Sequence, residues 1–417
     1  MDHFHYRGER YFAEEVSLEQ IAREVGTPCY VYSRATMEHH WQVFDQAFGD
    51  HPHTILYAVK ANGNLAVLNL LSRLGSGFDI VSGGELERVL QAGGQPSDVV
   101  FSGVGKSEEE INRALAVGVR CLNLESGAEL ERVNRLAGEL GVTAPVALRI
   151  NPDVDSGTHP YIATGLRENK FGIPVEEARG LYRQARDCQN LEAAGVACHI
   201  GSQLTQLSPF THALERVLDF VRALQDEDLS VEHLDLGGGL GISYTDERPP
   251  TPGEYVQALL DTMARRDCRL PVTIEPGRAI MGNAGLLLTR VEYLKPGDRH
   301  RFAVVDAAMN DLLRPALYQA RHEVVEVCRG RDTPGRYDVV GPVCESGDFL
   351  ARDRLLSVKA GDLLAVRSVG AYGFVMSSNY NARPRPAEVI VDGTSHHVVR
   401  ARETTTQLFE NEQLLPH

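Results

Sequence analysis

A lysine, a histidine, a run of glycines and a glutamate stand at the ends of successive strand-like segments. They are Lys60 in YAVK, His199 in HIGSQ, the GGGLG run over 237–241 and Glu275 in EPGR. Asp79, Ser82, Asn151 and Ser202 end neighbouring segments in the same way. A lysine finishing a strand is ordinarily a solvated end. Delivered into a shared, partly desolvated mouth, its amine loses basicity and becomes a nucleophile for a carbonyl. The glycine run is either a flexible turn or a place where bare backbone N–H groups approach a phosphate. A dinucleotide-binding reading fails, because ISYTDERPP does not begin a helix and the unit stands seventh in a series. His199 is by default a core histidine, although a position opposite Lys60 suits stacking on a flat ring. Glu275 either pairs with Arg278 or sits beside a pyridine nitrogen and keeps that ring protonated, the stronger electron sink. Cys344 lies in GPVCESGD, between turn glycines and beside carboxylates, a poor context for a buried thiol.

The elements that position these groups follow from periodicity. Apolar, β-branched runs occur at 54–60, 77–82, 99–103, 120–125, 145–151, 196–201, 231–238 and 272–276. Between them lie segments of near-3.6 apolar spacing, such as LAVLNLLSRL and GAELERVNRLAGEL. Eight strands alternating with helices predict an α/β fold, a (β/α)8 barrel of the TIM type, whose catalytic groups project from the strand C-termini. After about residue 285 the pattern changes to strands with short turns, which predicts a C-terminal antiparallel β-domain, a barrel or a sandwich. PCYVYS near the N-terminus is expected to join it. The expected division is 1–45 for the N-terminal segment, 46–284 for the barrel and 285–417 for the β-domain.

Bulk properties narrow the class. At 43% hydrophobic and 24% charged residues, the 417-residue chain has the composition of a soluble globular protein. A net charge of −15 argues against nucleic-acid or anionic-membrane partners. The opening MDHFHYRGER carries no apolar run, so neither a signal peptide nor an anchor is expected. Seven scattered cysteines without a CxxC pair speak against a disulfide framework or structural zinc, and no metal site is expected; a reducing, cytoplasmic setting fits.

YAVKANGN, GFDIVSGGELERVL, HPYIATGLRENKFGI, HIGSQ, LDLGGGLG, EPGR, GPVCESGD and GAYGFVMSSNYNARPRPAEV together resemble the diaminopimelate decarboxylases, pyridoxal 5'-phosphate enzymes of the alanine-racemase-like barrel fold. The likeness runs from about residue 25 to about residue 400. It implies decarboxylation of meso-2,6-diaminopimelate to L-lysine, the last step of lysine biosynthesis. For the cofactor it implies Lys60 as the Schiff-base lysine, His199 stacked on the ring and Glu275 on the pyridine nitrogen. Asp79 is expected beside the cofactor, with Ser202, Gly238, Gly239, Gly277, Arg278 and Tyr372 around the phosphate.

For the substrate the resemblance implies Arg278, Arg314 and Tyr318 on the distal carboxylate, Glu345 on the distal amino group, Tyr372 nearby, and Cys344 as the acid that reprotonates the α-carbon. Cys344 and Glu345 would reach into a neighbouring subunit, giving a homodimer with shared sites. An acid together with guanidinium groups suits a substrate end bearing both ammonium and carboxylate, and losing such a partner would cost about 2–5 kcal/mol. Decarboxylases of ornithine, arginine or carboxynorspermidine, a racemase, and a non-catalytic pyridoxal-binding homologue are the alternatives. The loop 159–173 is expected to be long enough for a lid.

Overall fold

The computed structural model describes residues 2–154, 170–297, 301–330 and 333–416. Most of the loop expected as a lid, 159–169, lies outside the described residues. The chain divides into two compact units. One comprises His40–Ile242 and Arg248–Ala279, the other Met1–His39, Ser243–Glu247 and Ile280–His417.

The first unit is a closed barrel of eight parallel strands, His53–Ala58, Gly77–Ile80, Val99–Phe101, Cys121–Leu124, Ala144–Asn151, Leu191–Ala197, His233–Asp235 and Val272–Ile274. Each pairs with the next, and the eighth returns to the first with Val272 opposite His53. Leu56, Val100, Cys121, Ala147 and Ala197 pack together as a buried cluster inside it. Several of the helices start where the sequence supplies caps. Ser107 and Thr251 form capping boxes with Glu110 and Glu254, satisfying N–H groups that a helix end leaves open.

In the second unit the strand Cys29–Ser33 runs antiparallel to Gly285–Lys295 and parallel to Ala387–Asp392. The N-terminal segment therefore lies inside this sheet, as expected. Its buried face meets Leu286, Leu288, Ala365 and Val389 in one apolar core. The sheet is mixed, not purely antiparallel, because Phe302–Val305 also pairs parallel with Gly335–Val340. Three further segments pair although their apolar runs are short or interrupted: the hairpin Phe4–Arg7 with Arg10–Ala13, Val324–Glu326 and Phe349–Leu356. Among the described residues no helix is long and apolar enough to cross a membrane.

Candidate active site

The barrel strands are short, so the chemistry-bearing residues fall just past their ends. The first strand stops at Ala58, and Lys60 stands in a 3-10 turn, Val59–Ala61, rather than finishing the strand. That turn is held by the buried Tyr57 hydroxyl, which donates to the Asn62 carbonyl at 3.0 Å. His199 likewise follows its strand, which ends at Ala197. Turns aim Lys60 and His199, while Asp79, Asn123, Arg149 and Asp235 stand on the strands themselves.

They converge on a cavity of about 370 Å³ lined by Lys60, Ser102, Asn123, Arg149, His199, Asp235 and Glu275, with Phe171 and Val104 among its apolar walls. The Lys60 amine pairs with Asp79 Oδ2 at 2.5 Å. Asp79 is fully buried, and its other oxygen has no hydrogen-bond partner among the described residues. Glu275 and Asp235, both buried, are hydrogen-bonded to each other. Burial, then the carboxylates of Asp235 and Asp79, push the Glu275 carboxyl well above its ordinary range, against the pull of Lys60. Asn123 Nδ2 donates to Asp235 Oδ2 at 3.0 Å and to Ser102 Oγ at 3.1 Å, which fixes the lower edge of this acid pair. The Lys60 amine thus meets the buried Asp79 directly and acts on the charge of Glu275, which pairs with Asp235, a cluster of acids suited to a further cation such as a protonated ring nitrogen.

His199 is pushed well below the ordinary histidine range, by burial first and then by the charges of Arg149 and Lys60, so its ring is neutral. Its Nδ1 accepts the Gly238 N–H at 3.2 Å, which leaves the ring proton on Nε2. A neutral aromatic face is what stacking on a flat heteroaromatic group requires. Arg149 is held by Glu125 at 2.8 Å and lies 5.0 Å over the Phe171 ring.

The glycine turn is demanded by packing. A Cβ on Gly238 would drive into the Glu275 carbonyl oxygen, and Gly239 has φ +116°, reserved for glycine. Close by in the chain, Gly277 packs against Ala58 and Ala61, and the buried Arg278 donates from Nη2 to Ser202 Oγ at 2.9 Å. A guanidinium, a hydroxyl and glycine backbone are donors suited to a phosphate. A pyridoxal group fits these residues: amine, neutral ring, acid and anion-binding donors all lie on one unit. Lys106, a second lysine of the barrel unit, is closed off. Its Nζ donates to the carbonyls of Gly103 and Asn123 and to Glu129 at 2.7–2.8 Å.

Of the residues expected to serve the site, Lys60, Asp79, His199, Ser202, Gly238, Gly239, Glu275, Gly277 and Arg278 belong to the barrel unit. Arg314, Tyr318, Cys344, Glu345 and Tyr372 belong to the β-unit. There Arg314 is buried, its guanidinium 5.2 Å from the Tyr244 ring centroid and 5.7 Å from that of Tyr318. Cys344 and Glu345 are exposed on the turn before Phe349–Leu356, and buried Asp348 pins that turn by accepting from Val343 N at 2.8 Å and Met309 N at 2.7 Å.

Two strand-end residues serve other ends. Ser82 is a helix N-cap accepting from Glu85 N, and Asn151 accepts from Asp153 N at 2.9 Å and does not line the cavity. Sequence reasoning passed over Asp235, Asn123, Ser102 and Arg149. Asp235 had a readable sign, a carboxylate at the C-terminal end of its strand, two residues before the glycine turn.

Residues 34–282 match the family model for the pyridoxal-dependent decarboxylase pyridoxal binding domain. The chain is 60% identical to a diaminopimelate decarboxylase of Pseudomonas aeruginosa over the whole of both chains. Among solved structures it is similar to the Helicobacter pylori diaminopimelate decarboxylase complexed with L-lysine, at 40% identity and TM-score 0.91, covering 94% of this chain and 98% of that one. The M. jannaschii enzyme in co-complex with L-lysine superposes with TM-score 0.96 at 38% identity, over 100% of this chain and 99% of that one.

Proposed function

The chain belongs to the diaminopimelate decarboxylases, and from that premise we propose how its own residues divide the work. The reaction is the carboxy-lyase conversion of meso-2,6-diaminopimelate to L-lysine and carbon dioxide, with pyridoxal phosphate as cofactor. The observation that carries the division is the Lys60 amine in a barrel cavity with buried Glu275, Asp235 and Asp79 and a neutral His199.

Bound there, the cofactor supplies an electron-accepting ring conjugated to the substrate α-carbon. Lys60 would hold the group covalently, with Asp79 beside its amine to balance the charge. Glu275 keeps a proton at the ring nitrogen, and Asp235 steadies Glu275. Ser202, Gly238, Gly239, Gly277 and Arg278 hold the phosphate, with Tyr372 completing that shell. Arg314 and Tyr318, together with Arg278, receive the distal carboxylate, Glu345 receives the distal ammonium, and Cys344 gives its proton to the α-carbon.

Cys344 and Glu345 are exposed on the single chain. An acid meant for a dry reaction centre needs a covering surface, which supports a homodimer in which these two residues serve the partner's site. The seven cysteines are all free, which supports a reducing cytoplasmic setting.

The decisive experiment compares the parent with Lys60→Ala, both purified without added cofactor. The parent shows a visible absorbance band and forms lysine from meso-diaminopimelate. The variant loses the band and nearly all turnover; a variant that kept both would overturn the assignment of Lys60.

A further inference from the structure

The Cys344–Glu345 pair sits on an exposed turn, yet both residues are fastened from a second exposed turn. Cys344 N donates to Asn381 Oδ1 at 2.7 Å. The Tyr380 hydroxyl donates to the Glu345 carboxylate. Neighbouring residues of one turn therefore hold neighbouring residues of the other.

The holding turn is itself built for the purpose. Asn381 has φ +55° and ψ +31°, and Ala382 follows with φ +53°. Left-handed backbone is tolerated by asparagine but disfavoured for alanine, so the second residue is held there by its surroundings. The ends of the turn are anchored. Asn379 Nδ2 donates to Arg383 O at 3.0 Å and to Glu403 Oε2 at 2.7 Å, and Ser378 N donates to Asn310 O at 2.9 Å. From the other side, Asp348 fixes the Cys344 turn through Val343 and Met309.

We propose that Asn381 and Tyr380 form a two-point clamp, Asn381 as the positioning residue for the Cys344 thiol and Tyr380 as the positioning residue for the Glu345 carboxylate. The proposal rests on the reading of Cys344 as proton donor and Glu345 as the receiver of the distal ammonium. Backbone N–H capture sets where the Cys344 Cα stands, and with it the reach of the thiol. A hydroxyl on Glu345 holds one carboxylate oxygen and directs the other outward. Proton delivery and substrate selection are thereby set by two separate bonds from one turn.

The test uses the holoenzyme and four variants. Asn381→Gly removes the acceptor but keeps left-handed freedom, Asn381→Asp keeps an acceptor, Tyr380→Phe removes only the hydroxyl, and Cys344→Ala checks the underlying reading. Cofactor absorbance and melting temperature report whether each variant remains folded and loaded. Iodoacetamide alkylation of Cys344, followed by peptide mass spectrometry, reports the thiol directly. Asn381→Gly is expected to raise that alkylation rate by roughly threefold or more and to lower kcat by about tenfold at nearly unchanged KM. Asn381→Asp moves both values back toward the parent. Tyr380→Phe is expected to raise KM for meso-diaminopimelate by about fivefold with kcat within about twofold.

Parental alkylation and kcat in Asn381→Gly would overturn the first half of the clamp, and parental KM in Tyr380→Phe the second. Parental turnover in Cys344→Ala would instead remove the donor role from the thiol. The alkylation comparison would still decide whether Asn381 positions it.

Discussion

At the scale of single residues, Glu275 has a consequence for stability. Its carboxyl is raised by burial and by the charges of Asp235 and Asp79. The folded cofactor-free protein therefore holds a proton that the unfolded chain releases once pH passes the ordinary carboxylate value. Stability from this group is complete below that value and falls as pH climbs toward the folded one. The melting temperature of the cofactor-free protein is expected to drop as pH climbs above the ordinary carboxylate value toward the raised folded one, and Glu275→Gln is expected to flatten that slope. A variant with the parental slope would show that the titrating group lies elsewhere.

At the scale of elements, two turns carry the predictions. Gly238 has no room for a Cβ against the Glu275 carbonyl. Gly238→Ala is therefore expected to weaken cofactor binding by about tenfold or more, read as a rightward shift in a fluorescence titration of cofactor-free enzyme. Asp348→Ala strands the N–H groups of Val343 and Met309, at a cost of about 1–3 kcal/mol for each. A lower melting temperature and impaired turnover should result, with the cofactor band intact. Elements were also where the sequence was most and least readable. Eight short β-branched runs alternating with segments of helical period announced the barrel, because run length, composition and count together distinguish the two. The strands Val324–Glu326 and Phe349–Leu356 escaped notice since the first has three residues and the second exposes Arg352 and Asp353. Lys60, His199, Glu275 and Arg278 were legible because a turn chemistry or motif marked each. Asn123, Ser102 and Arg149 were not, for they act through side-chain partners distant in sequence, as Asn123 does through Asp235.

At the scale of the whole molecule, shared sites make a quantitative demand. Lys60→Ala and Cys344→Ala each disable every site in their own homodimers. If the residues come from different subunits, a mixed dimer contains one intact site and one site lacking both. Random exchange of equal amounts should restore about a quarter of parental turnover. Recovery of none, with exchange verified by mass spectrometry of tagged subunits, would confine each site to one chain.

The carbonyl cage around Lys106 has a practical consequence at this same scale. Lys60, Lys106, Lys170, Lys295 and Lys359 are the five lysines of the chain, the remaining basic residues being arginine. With Lys106 sealed and Lys170, Lys295 and Lys359 on the surface, Lys60 is the one lysine that opens into the barrel cavity. Guanidinium groups do not condense with aldehydes under the conditions in which amines do. Against a cavity amine stand only these three surface lysines and the chain's amino terminus, so in the cofactor-free protein borohydride fixation at equal stoichiometry should mark the Lys60 peptide above the others in a digest.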